Sequence, residues 1–464
     1  MATWLGMAVS ALALVALCST ASAQWQSLNG GVSWEVRSFA LAPDHSRLLV
    51  GGGFAYVYQD SLRANGLAWW DGENWSIEGL VDGNGDTSAT GIQFPVYSLA
   101  IRSDTVFAAY LSPYWHYDPT LRYASMLAEG TWQACGSPEG IFAFLESNGR
   151  LFNGGRSDTL YYQYMPMVNE WVEGAWTPVP GSPFGPTGEV NDVAYWKGDH
   201  YFVGSFLLSN GARKAVRFDG VDQWTPLGDG VGGSWLATVC GFGDSLYVGG
   251  WLPPGTNVQS KNAQIWDGTD WRPFFPQVQF VGVVTDMQVH EGVLYVSGIY
   301  HWQGDTTWYG LLRYDGHQLC SIGGPMPGGD NMKMAFFQGN LYLGVGNLFA
   351  ALPGERVAYL PLEGLVPDTC VTITHTGMAE QQEAQRLEVF PNPSHGDLQV
   401  RLPNSFTGRG EIMIVDKLGR QVQRHVVQGH GGTALPMHGL AAGMYSVVLT
   451  QGGRLWQGRF IVTQ

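Results

Sequence analysis

Charged residues are scarce in this chain. Asp, Glu, Lys and Arg make up 14% of the 464 residues, against roughly a quarter of an ordinary soluble domain. Basic residues are the scarcer kind, because 24 Lys and Arg face 39 Asp and Glu and leave a net charge of −15. A surface with so few basic groups does not suit a polyanion, so the composition predicts no nucleic-acid partner.

Long apolar runs are also missing beyond the first 23 residues, so no transmembrane segment is predicted after removal of a signal peptide. Residues 1–23 contain an apolar stretch that ends in Ala21-Ser22-Ala23, the small-residue pattern that a signal peptidase cleaves. No Lys or Arg precedes this stretch, which leaves a membrane anchor or a lipid anchor on Cys18 as alternatives. The predicted outcome is a signal peptide over 1–23 and export from the cytoplasm.

Cysteine is rare as well. The four that follow the signal region have no CxxC spacing and no paired histidines, so no zinc site is predicted; they are Cys135, Cys240, Cys320 and Cys370. In an oxidising compartment four cysteines allow three pairings, and buried free thiols are equally consistent with the sequence.

Common catalytic and phosphate-binding fingerprints are absent, since the sequence has no GxSxG, HExxH or P-loop. A weak metal signal is present at Asp82, Asn84 and Asp86, whose oxygens alternate as in a calcium loop. Gln93 stands where an EF-hand requires Glu, so the options are a looser calcium site or a loop that lengthens the first repeat. No other cofactor is predicted.

Glycine and tryptophan, in contrast, are abundant, with 64 and 19 residues, and they recur in phase. A phrase of the type Trp-Asp-Gly or its relatives ends at Gly72, Gly130, Gly174, Gly220, Gly268, Gly316 and Gly364. The successive spacings are 58, 44, 46, 48, 48 and 48 residues. A second phrase of the same period begins at Val50 (VGGGF), Val203 (VGSF) and Val248 (VGGW). Two marks with one period indicate a repeated structural unit.

Each unit has the pattern of four short antiparallel strands. In the fifth unit, residues 236–242 turn at Gly243-Asp244 into a second strand, and Asp267-Gly268 separates the third from the fourth. We interpret Asp-Gly as a type I′ turn, in which both central residues have positive φ. The flanking aromatic residues are expected to fill the space between neighbouring sheets. Four strands in about 45 residues are typical of a β-propeller blade.

The number of units predicts a seven-bladed, all-β propeller over residues 24–366. Residues 25–32 match residues 224–231, a fourth strand and the loop after it, whereas the seventh unit lacks its own fourth strand. We therefore expect the N-terminal strand to complete the last blade. The units resemble extracellular propeller repeats related to the kelch and WD-type blades. Such propellers include both enzymes and binding proteins.

Aromatic residues cluster where the second and third strands of a blade are connected. These connections share one face with the links between blades, and a rim of such rings suits a sugar or peptide ligand, or else caps the blade ends. The candidate ligand-binding residues are Tyr114, Trp115, His116, Tyr162, Trp251, His301 and Trp302.

Catalysis by the histidines of this face would require a carboxylate partner. His116 lies near Asp118 and His301 near Asp305 in the sequence, but the pairs are four repeats apart and lack a third partner. No catalytic residue is therefore predicted. His200 falls on the opposite face at a hairpin turn, where we interpret it as solvated.

A polar stretch over residues 367–385 predicts a linker, and residues 386–464 show the alternation of a small Ig-like β-sandwich. Three sequence blocks follow one another in this tail; their residues are Pro391, Asn392, Pro393 and Gly396, then Asp416 and Gly419, then Gly443 and Tyr445. In these blocks the tail resembles the C-terminal sorting domain of the type IX secretion system. The resemblance implies a Bacteroidetes-type bacterium, Sec export, the type IX machinery as a partner, and a location outside the cell or on the outer-membrane surface.

Taken together, these patterns predict a secreted or surface-displayed propeller that acts as a binding or structural module for a glycan or protein ligand. An extracellular glycan-processing enzyme is the alternative. A pair of carboxylates in the central channel would favour the enzyme. Small apolar residues there, such as Ala40, Ala100 and Ala237, would favour the module.

Overall fold

The computed structural model shows an all-β protein. The residues that it describes are 25–58, 62–80, 95–110, 124–128, 130–135, 141–157, 168–184, 188–208, 211, 213–252, 262–326, 332–346, 356–373, 385–394, 396–403, 406, 409–416, 421–428, 431–451 and 454–463. The chain divides into two compact units, Met1–Ile373 and Thr374–Gln464.

The first unit is a seven-bladed β-propeller, as the repeat predicts. Within the described ranges its antiparallel strands form seven four-stranded blades, and the pairing of Arg156 with Glu189 and of Ser157 with Gly188 joins blades 3 and 4 into one sheet. From the innermost strand outward, the blades consist of Val36–Leu41, Leu48–Gly52, Leu67–Trp70 and Trp75–Ser76 (blade 1); Val96–Arg102, Thr105–Tyr110, Ala124–Ala128 and Thr131–Ala134 (blade 2); Ile141–Ser147, Arg150–Ser157, Val168–Val172 and Ala175–Pro178 (blade 3); Gly188–Trp196, Asp199–Leu207, Arg213–Phe218 and Trp224–Pro226 (blade 4); Trp235–Phe242, Ser245–Trp251, Ala263–Trp266 and Trp271–Pro273 (blade 5); Val278–His290, Val293–Trp302, Tyr309–Tyr314 and Gln318–Pro325 (blade 6); and Lys333–Phe337, Asn340–Gly344, Val357–Pro361 and Gln26–Ser27 (blade 7). A small hairpin, Tyr56–Val57 with Leu62–Arg63, lies in the second-to-third connection of blade 1.

The outermost strand of blade 7 comes from the N-terminus. Gln26 pairs with Tyr359 and Ser27 with Ala358. The preceding Trp25 is buried, and its indole Nε1 donates a hydrogen bond to the Gly323 carbonyl of blade 6, 2.7 Å away. The first and last parts of the propeller sequence therefore share one sheet, which leaves no gap between blades 7 and 1.

Blade 6 carries a fifth strand that the sequence did not suggest. Thr369–Thr372 pairs antiparallel with the outer strand of that blade, and a disulfide joins the directly opposed Cys320 and Cys370. The linker predicted over 367–385 thus includes a strand of the propeller. Its polar composition misled the prediction, because an outermost strand is largely solvated and does not need apolar residues on both faces.

Two further cysteines of the described chain, Cys135 and Cys240, are free thiols. Burial raises the pKa of each thiol to about 12. A thiol that holds its proton so firmly is a poor nucleophile and a poor metal ligand, so both side chains act as small apolar residues of the core.

The Asp-Gly phrase forms a different turn from the one predicted. Gly72, Gly220, Gly268 and Gly316 have positive φ, but the aspartate before each does not. The aspartate Oδ1 instead accepts hydrogen bonds from backbone N–H groups that follow, as Asp267 does from Thr269 and Asp270, both at 2.8 Å. Asp is therefore selected as an acceptor rather than for left-handed φ. Adjacent residues with positive φ occur at other hairpins, such as Lys197-Gly198 and Glu291-Gly292.

The aromatic residues on either side of this turn pack against each other, as expected. Ring centroids lie 5.1 Å apart in both the Trp70–Trp75 and the Trp266–Trp271 pairs. The outer tryptophan also joins neighbouring blades, because Trp75 Nε1 donates to the Leu28 carbonyl at 2.7 Å and Trp271 Nε1 to the Leu227 carbonyl at 2.9 Å. Each such residue combines a large apolar contact with one directional bond, which explains its recurrence.

The second repeated phrase, VGG or VGS, reflects a steric requirement at the inner strand. A Cβ atom at Gly52, Gly204 or Gly250 would collide with a backbone carbonyl oxygen of the adjacent innermost strand. That carbonyl precedes a β-bulge in the innermost strand of each of these blades. Glycine lets the two strands approach at the bulge, and the bulge sets the side chains that line the channel.

The second unit is a small Ig-like sandwich of two sheets. Five strands form one sheet in the order Gln385–Arg386, Arg454–Val462, Gly443–Gln451, Arg409–Val415 and Gln421–Gln428. Glu388–Phe390, Leu398–Arg401 and Gly432–Leu435 form the other. Its own apolar core includes Phe406, Trp456 and Phe460.

Candidate functional site

A cavity of about 560 Å³ lies in the central channel of the propeller. All seven innermost strands contribute to its wall. The lining residues include Arg37 of blade 1, Tyr97 of blade 2, Phe144 of blade 3, Asp192 of blade 4, Trp235 of blade 5, Asp286 of blade 6 and Lys333 of blade 7.

Hydrogen bonds between neighbouring innermost strands close the wall of this cavity. In blades 1, 2 and 5 a hydroxyl that follows the bulge accepts a backbone N–H from the next blade. The pairs are Leu99 N to Ser38 Oγ (3.0 Å), Phe144 N to Ser98 Oγ (2.9 Å) and Met287 N to Thr238 Oγ1 (3.0 Å). These side chains replace the ladder bonds that the curvature of the ring prevents, and satisfy buried donors.

Carboxylates perform the same task in two other blades. Asp192 Oδ2 accepts the Val239 N–H at 2.8 Å, and its Oδ1 accepts the Val193 N–H at 2.8 Å. Asp286 Oδ2 accepts the Met334 N–H at 2.8 Å and the Gln288 Nε2 amide at 2.9 Å. The channel therefore contains the two carboxylates that the sequence could not place there.

The two aspartates and Lys333 are close enough to influence one another. Burial raises the pKa of the Asp192 carboxyl from 3.8 to about 6; Lys333 opposes this effect and the negative charge of Asp286 adds to it. Lys333 Nζ donates to the Thr285 carbonyl at 2.8 Å, next to Asp286 in the chain. A carboxyl that titrates near pH 6 can hold or release a proton under ordinary extracellular conditions.

Basic and aromatic groups meet at the blade 1 side of the cavity. Arg37 Nε bonds Glu35 Oε1 at 2.6 Å, and the Arg37 guanidinium lies 4.2 Å from the centroid of the Tyr97 ring. The indole of Trp34 is 53% exposed and lies 5.0 Å from the guanidinium of the buried Arg356. On this side of the propeller a guanidinium therefore lies against one face of each of these two aromatic rings.

Exposed aromatic residues are concentrated on one face of the propeller. That face carries the links between blades and the connections from second to third strands. Among the described residues, the aromatic side chains there that are more than 40% exposed are Trp34, Tyr56, Tyr58, Trp251 and Trp308. The opposite face has Tyr195 alone in the described chain. Trp251 is the strand-register partner of the cavity residue Trp235, so the exposed aromatic face borders the cavity at blade 5.

The predicted ligand-binding residues have different positions. Trp251 is 41% exposed on the aromatic face. His301 is partly buried, and its Nδ1 lies 3.0 Å from the Trp302 carbonyl. Tyr114, Trp115, His116 and Tyr162 lie outside the described residues, as does Asp118.

Trp302 corrects the prediction of an exposed rim. It is only 6% exposed, packs with Tyr300 at 5.9 Å between centroids, and donates from Nε1 to Ser321 Oγ at 3.2 Å. The reason is that the second strand of blade 6 extends to Trp302, whereas the sequence suggested a loop from residue 299. Trp302 is a core residue of the blade.

His200 is also not the solvated turn residue expected. It is 3% exposed, and its Nδ1 lies 2.7 Å from Ser147 Oγ, which is itself buried. Burial lowers the pKa of His200, with the positive charge of Arg150 acting in the same direction. A serine and histidine this deeply buried link blades 3 and 4 and are closed to a substrate.

The alanines expected in the channel are only partly there. Ala237 lines the cavity, whereas Ala100 is buried between blades 2 and 3 and Ala40 packs towards blade 2. A β-bulge shifts the register of the innermost strands of blades 1, 2 and 5, so simple alternation along these strands assigns the wrong face.

A third repeated phrase, which the prediction missed, marks the wall residues that accept hydrogen bonds from the next blade. An aliphatic residue, any residue and then Ser, Thr or Asp recur as VRS at 36–38, VYS at 96–98, VND at 190–192, LAT at 236–238 and VTD at 284–286. The third residue is always the inter-blade acceptor. Its period matches that of the other two phrases.

No group of three or more His, Cys, Asp or Glu side chains suited to a metal ion occurs in the described part of the chain. The predicted calcium ligands Asp82, Asn84 and Asp86 lie outside the described residues. That hypothesis therefore stays a prediction.

The motif residues of the tail fix its last strand. Asn392 Oδ1 accepts the Ile461 N–H at 3.0 Å, between the cis bonds Phe390-Pro391 and Asn392-Pro393. Tyr445 is buried, and its hydroxyl donates to the Ala441 carbonyl at 2.9 Å. The Gly396 carbonyl accepts the Ser394 hydroxyl at 3.0 Å, Gly443 begins a strand, and Asp416 follows one. Gly419 is outside the described residues.

Comparison with known families identifies this tail. Residues 388–463 match the secretion system C-terminal sorting domain. The domain marks proteins that the type IX secretion system exports to the cell surface or the extracellular space. The type IX machinery is accordingly a partner of this chain. In the described residues there is no helix that could cross a membrane.

Solved structures of low sequence identity are similar to this chain. Apo AztD from Citrobacter koseri is similar at 11% identity over 87% of this chain and 97% of its own, with a TM-score of 0.28. Sucrose-6-phosphate hydrolase from Lactobacillus gasseri is similar at 10% identity over 96% and 90%, with a TM-score of 0.29. No curated protein matches the sequence. Likenesses this remote carry no conclusion about activity, so function must be argued from the site.

Proposed function

We propose that this protein is an extracellular binding module whose propeller holds a glycan at the face where its innermost strands begin. The observation that supports this most is the asymmetry of the two faces. Exposed aromatic rings accumulate on the face that opens into the cavity and are nearly absent from the described part of the other. Such rings offer flat apolar surfaces against which sugar rings stack, and exposed aromatic clusters mark interaction sites.

The state of the channel carboxylates supports binding over catalysis. Three of the four carboxylate oxygens of Asp192 and Asp286 accept hydrogen bonds from the chain itself. Groups that hold neighbouring blades together cannot move freely during a reaction. Their main task is structural, and the cavity they line is preformed.

The test is retention on immobilised glycans by variants of the secreted protein. Trp34→Ala and Trp251→Ala should each weaken binding by about 2 kcal/mol, roughly thirtyfold, because each removes an aromatic contact. Tyr195→Ala is the matched control, since Tyr195 is 44% exposed on the opposite face. If Tyr195→Ala weakens retention as much as the two tryptophan variants, the aromatic face is not the binding site.

A glycan-processing enzyme is the second candidate, and one observation favours it. Two carboxyl groups line the cavity, and the pKa of Asp192 is raised to about 6. Glycoside hydrolysis uses one such protonated acid with a second carboxylate. Release of reducing sugar from a panel of polysaccharides, lost in both Asp192→Asn and Asp286→Asn, would establish this activity. If the wild type binds a glycan but releases no reducing sugar, the protein is a binding module and not a glycan-processing enzyme.

A further inference from the structure

The shape of the cavity restricts how a glycan can enter it. Innermost strands of seven blades surround it. In the described residues, side-chain hydrogen bonds bridge the innermost strands of blades 1 and 2, 2 and 3, 4 and 5, 5 and 6, and 6 and 7. These bridges favour entry of a polymer by its end, along the channel axis, over a chain that lies across the described wall.

The size of the cavity fits a chain end. Its volume of about 560 Å³ lies in the range of roughly 300–1,000 Å³ that small ligands occupy. The wall combines the aromatic residues Tyr97 and Trp235 with hydroxyl, amide and charged groups. This mixture matches a sugar, which presents apolar C–H faces and hydroxyls that both donate and accept.

Asp286 has bonding capacity left for a ligand. It is 8% exposed and lines the cavity, and only its Oδ2 accepts hydrogen bonds from described residues. Its Oδ1 accepts none within the described ranges. This oxygen is therefore available to accept a hydrogen bond from a ligand hydroxyl in the cavity.

Lys333 provides the complementary donor. Its ammonium has three protons and gives one to the Thr285 carbonyl at 2.8 Å, beside Asp286. A donor and an acceptor at neighbouring positions suit a pair of adjacent hydroxyls. The wall contains Lys333 together with Asp192, Asp286 and Glu189. A charged ligand of either sign would therefore also meet side chains of its own sign. The mixture favours a neutral ligand.

We propose that the channel binds the terminal one or two rings of a neutral glycan end-on, with Asp286 and Lys333 as the hydrogen-bonding partners of its hydroxyls. This inference rests on the proposed function and specifies its ligand. The aromatic face then contacts the following rings, and Trp251 connects the two parts. Asp286 and Lys333 are assigned ligand contacts that no sequence motif indicated.

Calorimetry on the complete secreted protein tests this, with cellohexaose, xylohexaose, mannohexaose and maltohexaose as probes, each beside its disaccharide. We expect one hexaose to bind and its disaccharide to compete with it. The dissociation constants of the two should differ by no more than about tenfold, because the end rings make the polar contacts. Asp286→Asn and Lys333→Met should weaken both ligands at least tenfold, whereas Trp251→Ala should weaken the hexaose alone.

Folding and position are controlled separately. Asn at position 286 can still accept the Met334 N–H through its carbonyl oxygen, and thermal unfolding verifies that both channel variants are folded. Asp244→Asn and Lys197→Met change an exposed ion pair on the opposite face and should leave binding intact.

The possible failures differ. If a hexaose binds and its disaccharide does not compete even at a large excess, or if folded Asp286→Asn binds normally, end-on recognition is wrong and binding by the aromatic face stands. If none of the four sugars binds, the proposed function fails together with this inference.

Discussion

At the scale of single residues, two side-chain types connect the blades of this propeller. Polar residues after the bulge bond the next innermost strand, and outer tryptophans such as Trp271 donate to the preceding blade. Each bond contributes about 1 kcal/mol when formed, and its loss leaves a buried group unsatisfied. These two residue types therefore recur in the repeats at positions where a directional hydrogen bond joins neighbouring sheets.

The raised pKa of Asp192 predicts a pH-dependent stability. The folded protein holds this proton up to about pH 6, whereas an unfolded Asp loses it near 3.8, so this group stabilises the fold less as pH rises from about 4 to about 6. Asp192→Asn stays neutral. The substitution changes the free energy of unfolding by an amount that does not depend on pH. Beyond that amount, the free energy of unfolding of Asp192→Asn minus that of the wild type should rise over that interval by at most about 3 kcal/mol.

Urea unfolding at about pH 4.5 and about pH 7.5 measures this difference. Asp244→Asn is the control, because the bond to exposed Lys197 lowers the pKa of Asp244 and its effect should be small and of opposite sign. A wild type and an Asp192→Asn variant with parallel pH profiles would mean that Asp192 is not desolvated.

Two tryptophans that the sequence placed in one class should behave differently. Trp302→Ala should destabilise the propeller by about 3–5 kcal/mol, because it leaves a cavity in a blade core. Trp251→Ala should change stability by less than about 1 kcal/mol, since its ring is 41% exposed. Thermal melts of both variants decide the matter, and equal losses would contradict the placement of Trp302 inside the blade.

At the scale of elements, the outermost strands decide how the ring is completed. Blade 7 takes its last strand from the N-terminus, and blade 6 receives a fifth strand from beyond the last repeat. Both additions cover sheet edges that would otherwise present unpaired backbone groups.

The disulfide that holds the fifth strand should contribute measurably. Cys320 and Cys370 are 50 residues apart, for which the chain-entropy model gives about 4 kcal/mol. The double variant Cys320→Ser with Cys370→Ser should lose up to this amount in chemical unfolding. Adding a reductant should reproduce the loss in the wild type and have no effect on the variant; a reductant effect that persists in the variant would point to another cause.

The N-terminal strand should matter more than its length suggests. Removing residues 25–32 takes away the outer strand of blade 7 and the buried Trp25, so the melting temperature should fall strongly and aggregation should increase. Removing residues 374–381, beyond the last propeller strand, is a deletion of equal size. Indistinguishable melting temperatures would show that this strand does not close the ring.

At the scale of the whole molecule, each unit has its own core, because the apolar clusters of the propeller and of the sandwich are formed within the respective unit. The two parts are therefore able to fold separately. This division matches the division of tasks, in which the tail directs export and the propeller carries the candidate site.

Removal of the tail should accordingly separate export from folding. A chain that ends at residue 385 should accumulate in the periplasm with a propeller that melts as in the complete protein. Fractionation of the native host and melting of the purified fragment measure the two effects. Surface display of the truncated chain equal to that of the complete one would show that residues 386–464 are not needed for sorting.

The sequence by itself determined what depends on local periodicity. Seven repeats of two short phrases were enough to predict the blades, because several blades require a Gly that avoids a carbonyl or a Trp that bridges two sheets at equivalent positions. The tail was identifiable from its short motif blocks, in which Tyr445 bonds the nearby Ala441 and Asn392 bonds Ile461 of the last strand.

Only the tertiary structure decided which residues share the channel. Asp192, Asp286 and Lys333 lie in three blades, and a bulge in two of these strands sets which side chain points inward. Trp302 lies in the core because its strand continues four residues further, over 299–302, than its pattern indicated. Cys320 and Cys370 form a disulfide because the polar segment Thr369–Thr372 pairs with the edge strand of blade 6. Such outcomes depend on packing between segments distant in the chain, for which alternation within one strand carries no information.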